Sequence, residues 1–281
     1  MGAGPEKSQG AEAFTRVGDL LYRKSQRARP LLSYALLATL PLIPSMFDRT
    51  ITSLCRALKF ECDFTILNRS MRFHVHSNLE AFRYHGGFAH ELRVSENLLR
   101  LTPEGCIFFD IGCSFGWYSV LLAKKCKRII AFDPYDRSSL ENVALNNIRS
   151  FELREVFLSD HCEERDGVCS RTLDSLIEGG ECPCPDVLKI DVEGEEYRVL
   201  CGGGRMFSQR PPALVVVETH SRSCFSHCLR FLHSVGYDVF HLGCPKIDLG
   251  GDIYPLSFEL NGGGLSTTSE TRMLLGMRPA R

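Results

Sequence analysis

Beyond residue 100 the chain alternates between short apolar runs and segments whose apolar positions follow helical spacing. The run 106–111 is almost wholly apolar, is interrupted only by Asp110 and is followed by Gly112, and 117–125 then has helical character. A strand over 128–132, a helix over 138–147 and a strand over 153–158 come next. A strand at 187–190, a helix at 195–200, a strand at 213–217, a helix at 225–234 and a strand at 237–242 complete the series. Strongly apolar, β-branched runs interleaved with helices describe a parallel sheet covered on both faces. The expected class is α/β, with a doubly wound, mostly parallel, seven-strand-type sheet.

The pattern before residue 100 is different. Strands at 62–67 and 71–76 flank the turn Asn68-Arg69-Ser70, and a lead-in helix follows. His74 and His76 share one face of the second strand, which reads as a solvated polar face. Residues 1–60 form an extension with a polar start and an apolar helical segment over 31–60, broken by Pro41 and Pro44. The apolar run 31–47 is shorter than the roughly 20 residues a spanning helix needs. It is expected to dock on the domain, with weak membrane-surface contact or a targeting role as alternatives suggested by Arg23, Lys24, Arg27 and Arg29. Gly2 does not begin a myristoylation signal, because Glu6 stands where Ser or Thr is required. The expected division is therefore 1–60, 61–100, 101–244 and a tail, 245–281, that the pattern leaves unassigned.

Composition narrows the partners. The chain has 281 residues, 44% hydrophobic and 24% charged, with a formal net charge of −1. That is ordinary for a globular protein and offers no basic face to follow a nucleic-acid backbone. Thirteen cysteines are an odd number scattered through predicted elements, so they read as reduced thiols of a cytoplasmic protein, with membrane association as the alternative. Cys182, Cys184, Cys224 and Cys228 match no standard zinc-ligand spacing.

In a doubly wound sheet, ligands bind beyond the carboxyl ends of the strands. After the first strand stands Asp110-Ile111-Gly112-Cys113-Ser114-Phe115-Gly116, which opens directly into a helix. Gly112 and Gly116 permit a sharp turn and close backbone approach, while Ser114 occupies the place where a nicotinamide-type fingerprint requires glycine. Asp133, ending the second strand, is placed to accept hydrogen bonds from ribose hydroxyls; the other reading is an acid capping the helix near Ser138. Asp160, after the third strand, is placed to meet an adenine amino group or to serve a turn.

The fourth strand leads into Lys189-Ile190-Asp191-Val192-Glu193-Gly194, and here the chain resembles the FkbM family of S-adenosylmethionine-dependent methyltransferases. The resemblance spans about residues 88–242. It includes Phe109 to Gly112, Gly116-Trp117-Tyr118-Ser119, Ala131-Phe132-Asp133-Pro134, Thr172-Leu173-Asp174-Ser175-Leu176 and Val217-Glu218-Thr219-His220. The family usually carries Gly-Ala-Asn-x-Gly in the first loop and glutamate at the position of Asp133, and this chain departs from both. The resemblance implies a class I, Rossmann-like methyltransferase domain that takes S-adenosylmethionine and methylates a hydroxyl of a sugar, glycan or natural product. It also implies that Glu91 lies near the cofactor. A different acceptor class, or a non-catalytic module that keeps the fold, is the alternative.

Methyl transfer to a hydroxyl profits from a base. Asp191 and Glu193 after one strand, with Glu218 and His220 at the end of its neighbour, are the candidates; Asp191, His220 and Glu218 are the expected catalytic set. Glu193 and Glu218 have the alternative of capping helices or pairing with Lys189 and Arg222. A divalent cation held by these groups is a further alternative, and no metal ligand enters the expectation.

Overall fold

The computed structural model describes residues 61–74, 89–165, 168–242, 253–255 and 272–279. The chain divides into two compact units, Met1–Leu92 and Arg93–Arg281. The extension over 1–60, including the apolar run 31–47, lies outside the described residues. Among the described residues no helix is long and apolar enough to cross a membrane.

In the first unit β1 (Glu61–Ile66) and β2 (Arg69–His74) form an antiparallel hairpin. Its turn is the pair Leu67-Asn68, with φ of 43° and 66°, and not the expected triplet 68–70. Positive φ at both central residues matches the strand twist in a two-residue hairpin, and asparagine tolerates it well. Met71 and Phe73 are buried on one face of β2, while His74 alternates with them. His76 lies outside the described residues.

The second unit is a sheet of eight strands in the order β12-β11-β13-β10-β9-β3-β4-β5. These are β3 (Cys106–Ile111), β4 (Cys126–Phe132), β5 (Phe151–Arg154), β9 (Val187–Ile190), β10 (Leu214–Thr219), β11 (Asp238–Leu242), β12 (Ile253–Pro255) and β13 (Arg272–Met277). The run from β5 to β10 is parallel. β13 inserts antiparallel between β10 and β11, so the stretch after residue 244 supplies a strand near the middle of the sheet. Met273, Leu274 and Leu275 are all buried there, which is why an otherwise glycine-rich stretch yields a strand at this point. The single strand expected over 153–158 is two: β5 stays in the main sheet, and β6 (Phe157–Leu158) joins β7 (Glu163–Arg165) and β8 (Val168–Arg171) in a separate small sheet.

The helices are α1 (Ala89–Leu101), α2 (Trp117–Leu122), α3 (Ser138–Leu145), α4 (Leu173–Glu178), α5 (Glu196–Gly202), α6 (Gly204–Gln209) and α7 (Arg222–Ser234). α4 starts at a capping box, with Thr172 Oγ1 accepting from Ser175 N–H. One face of the sheet buries Phe109, Ile130, Leu188 and Val215 beneath α5 to α7, and the rings of Phe109 and Phe132 lie 5.3 Å apart. Each such fully buried side chain contributes about 1.5–3 kcal/mol relative to exposure.

Candidate active site

The strand ends are brought together by the backbone. Asp191 N–H donates to Ile111 O at 3.0 Å, and Gly112 N–H donates to Phe132 O at 2.9 Å. Gly112 has φ +74°, and a Cβ placed on it would stand 1.7 Å from Asp191 O. Glycine is therefore required for the β3 loop to lie against the end of β9.

Asp110, 1% exposed, accepts from both the N–H and Oγ–H of Ser119, at 3.1 and 2.7 Å, and so fastens α2 to the sheet. Burial pushes its carboxyl pKa up, while Lys189 and the Ser119 bonds pull it down. Lys189 is opposite Asp110 in the β3–β9 register. Its Nζ, 2% exposed, donates to Asp191 Oδ2 at 2.9 Å and lies 4.8 Å from the Tyr118 ring centroid. The pairing that strand alternation allows between Lys189 and Asp191 is realised.

The loop after β3 is tied to the loop after β4. Ser114, at φ 46°, donates its N–H to Asp133 Oδ2 at 3.0 Å and its hydroxyl to Asp136 Oδ2 at 3.2 Å. Asp133 Oδ1 accepts from Tyr135 and Asp136 N–H, at 3.0 and 2.8 Å. The acid that meets Ser138 N–H is Asp136, at 2.8 Å, so the capping duty considered for Asp133 belongs to its neighbour three residues on. An ionised carboxylate has about four acceptor positions, so Asp133 keeps capacity for a ribose hydroxyl beyond the three N–H groups it holds. The residues present thus fit a nucleoside at this edge. Asp160 is exposed after β6 and already engaged by His161 Nδ1 at 2.7 Å, Ser159 Oγ–H at 3.2 Å and Arg198 at 3.9 Å. The Glu91 side chain lies outside the described residues.

Across the sheet the expected acceptor-end residues converge. His220 follows β10, with Nε2 at 3.7 Å from Asp191 Oδ1 and 3.4 Å from Glu193 Oε2. Glu218 is buried in β10, opposite Met273. The residue that pattern reading missed is Glu196, wholly buried at the start of α5, whose Oε1 lies 2.7 Å from His220 Nδ1. Gly194 N–H donates to the same oxygen at 2.8 Å, and the Cys224 thiol donates to Oε2 at 3.0 Å. Despite its burial, these bonds, led by that from His220, hold the Glu196 carboxyl down at about 2. Glu196 in turn lifts His220 to about 9, against desolvation and with help from Asp191. An acid in the first turn of a helix is common; only its place two residues after Gly194 hinted at more. The ten cysteines from Cys106 to Cys228 are free thiols, and Cys224 and Cys228 face each other at 3.7 Å.

A seven-strand core with an inserted antiparallel strand, glycine-rich turns after its first strand and polar side chains gathered beyond the strand ends define a class I methyltransferase-type domain. Residues 150–239 match the model of the methyltransferase FkbM domain, so the resemblance carried by Lys189 to Gly194 is borne out over that stretch, and the chain is a methyltransferase. It is 27% identical over 177 residues to the hexuronic acid methyltransferase AglP of Haloferax volcanii, covering 53% of this chain and 70% of that protein. It is 30% identical over 109 residues to a probable cobalt-precorrin-6B C(15)-methyltransferase (decarboxylating) of Methanococcus maripaludis, covering 38% of this chain and 57% of the relative. The crystal structure of an FkbM methyltransferase from Methylobacillus flagellatus aligns with a TM-score of 0.48 at 15% identity, over 70% of this chain and 53% of that one.

Proposed function

We propose that this chain transfers a methyl group from S-adenosylmethionine to a hydroxyl oxygen of a sugar, a glycan or a natural product. The observation that carries the reading is the convergence of Asp191 and His220 at the ends of the adjacent strands β9 and β10, beside the loop that would hold the cofactor. The hexuronic acid methyltransferase among the relatives supports a sugar acceptor.

The cofactor, when bound, supplies an activated methyl on a sulfonium, which an acceptor oxygen displaces in line. The 112–116 loop and Asp133 bind and orient it, with Asp133 on the ribose and Asp160 as a further contact. Holding the acceptor in line is worth about 7–11 kcal/mol of the barrier. Lifted to about 9, His220 carries a proton at neutral pH. Asp191 Oδ1 is then the atom that accepts the hydroxyl proton, and the His220 imidazolium stabilises charge on the acceptor oxygen. Glu218 completes the polar set on β10.

The test follows labelled methyl from S-adenosylmethionine into uronic-acid glycans and simple polyols. Transfer to oxygen, with His220→Ala binding S-adenosylhomocysteine normally but turning over slowly, is the expected result. Transfer only to carbon or nitrogen, or unchanged turnover in His220→Ala, overturns the reading.

A further inference from the structure

We propose that Asp191, Glu193 and His220 form a binding site for one first-row divalent cation of the Mn²⁺ or Zn²⁺ type. Each offers one ligand atom, and the three atoms all lie within 4.8 Å of one another. Adjacent ligand atoms around an ion with bonds of about 2.1 Å are roughly 3.0–3.5 Å apart. The His220 Nε2 distances of 3.4 Å to Glu193 and 3.7 Å to Asp191 therefore require only small side-chain adjustments.

Two residues outside the trio aim its ligand atoms. Glu196, with no solvent exposure, engages His220 Nδ1 and leaves Nε2 turned toward the carboxylates. A buried carboxylate on the far nitrogen is the usual outer partner of a metal-binding histidine, because it fixes the tautomer and raises ligand basicity. Lys189, equally enclosed, takes Asp191 Oδ2 and leaves Oδ1 on the His220 side. Glu193 is 83% exposed and provides the entry side.

One imidazole nitrogen with two carboxylate oxygens suits a first-row ion better than Ca²⁺, which prefers oxygen ligands alone and more of them. Three protein ligands also leave coordination positions for an acceptor oxygen, whose hydroxyl such an ion acidifies. That catalytic consequence rests on the methyl-transfer reading; the binding does not. An ion bound there would replace the proton on His220 and take over the stabilisation of charge on the acceptor oxygen.

The experiment uses the full chain stripped with chelator and dialysed. Mn²⁺ is titrated with free ion followed by electron paramagnetic resonance, and Zn²⁺ and Mg²⁺ are compared by calorimetry. One saturable Mn²⁺ per chain is expected, weakened about tenfold or more in Glu193→Gln and His220→Ala. Because Glu193 is solvent-exposed, its variant tests the site even if His220→Ala fails to fold. Glu178→Gln, at a surface ion pair with Arg205, should bind as wild type does. No saturable binding up to millimolar Mn²⁺, or equal binding in wild type and Glu193→Gln, overturns the site. The same samples titrated with S-adenosylhomocysteine report separately on methyl transfer. A chain that binds Mn²⁺ but not S-adenosylhomocysteine supports the cation site while overturning the methyl-transfer reading.

Discussion

His220 Nδ1 lies 2.7 Å from Glu196 Oε1, a carboxylate sealed from solvent, and the two groups shift each other in opposite directions. His220 rises from 6.5 to about 9, and Glu196 falls from 4.5 to about 2. A histidine with a raised folded-state value contributes stability that is fully present below pH 6.5 and is lost as pH climbs through about 9. The depressed glutamate contributes stability present above about pH 4.5 and lost as pH falls through about 2. Thermal melts of the metal-free chain should therefore show declining stability between about pH 6.5 and 9, and Glu196→Gln should flatten that decline. In the variant, the His220 imidazole resonances should titrate nearer the ordinary value.

Gly112 allows β3 to end against the backbone of Asp191, with an added Cβ only 1.7 Å from that carbonyl oxygen. Gly112→Ala combines this overlap with a positive φ, so a loss of about 2–4 kcal/mol in urea unfolding is expected, together with weaker S-adenosylhomocysteine binding. An alanine variant as stable as wild type would show that the loop does not approach β9 in this way.

Asp133 holds the N–H groups of Ser114, Tyr135 and Asp136. Asp133→Ala leaves these donors without their acceptor, at about 1–3 kcal/mol each where water does not replace it. S-adenosylhomocysteine affinity, read by calorimetry, should fall about tenfold or more, since both the loop and a ribose contact are lost. Asp136→Ala should weaken binding less, through Ser114 and Ser138 alone.

Lys189 is an ammonium enclosed between strand ends, with Asp191 as its hydrogen-bonded partner and Asp110 beside it in register. Lys189→Met removes the cation that offsets the burial of Asp110, and a loss of about 3–5 kcal/mol in urea unfolding is expected. Adding Asp110→Asn should recover part of the loss; no recovery would mean that Lys189 acts mainly through Asp191.

Much of the parallel core was legible because its central strands are apolar on both faces, whereas β5, Phe-Glu-Leu-Arg at the edge, is not. The run 106–111 and the run 187–190 appear with the expected bounds. β10 extends two residues further than the apolar run, to Thr219, and takes Glu218, expected at the strand end, into the sheet. The tail strand β13 escaped because its six residues lie in a stretch without periodicity, and its place depends on a gap between β10 and β11 that no local pattern records. Asp133 and Asp136 illustrate the same limit: both are acids in a turn, and only the path of the chain assigns the Ser138 N–H to the second.

The order of strands and helices, the glycine turn after the first strand and the acids at the strand ends follow from local spacing, because alternation and backbone freedom are properties of neighbouring residues. The partnership of Glu196 with His220, the aim of Asp191 Oδ1 and the place of β13 do not. Those contacts join segments distant in the chain, and the hydrogen bond between Glu196 and His220, acting against burial, shifts the protonation of both only once α5 and the end of β10 have packed together.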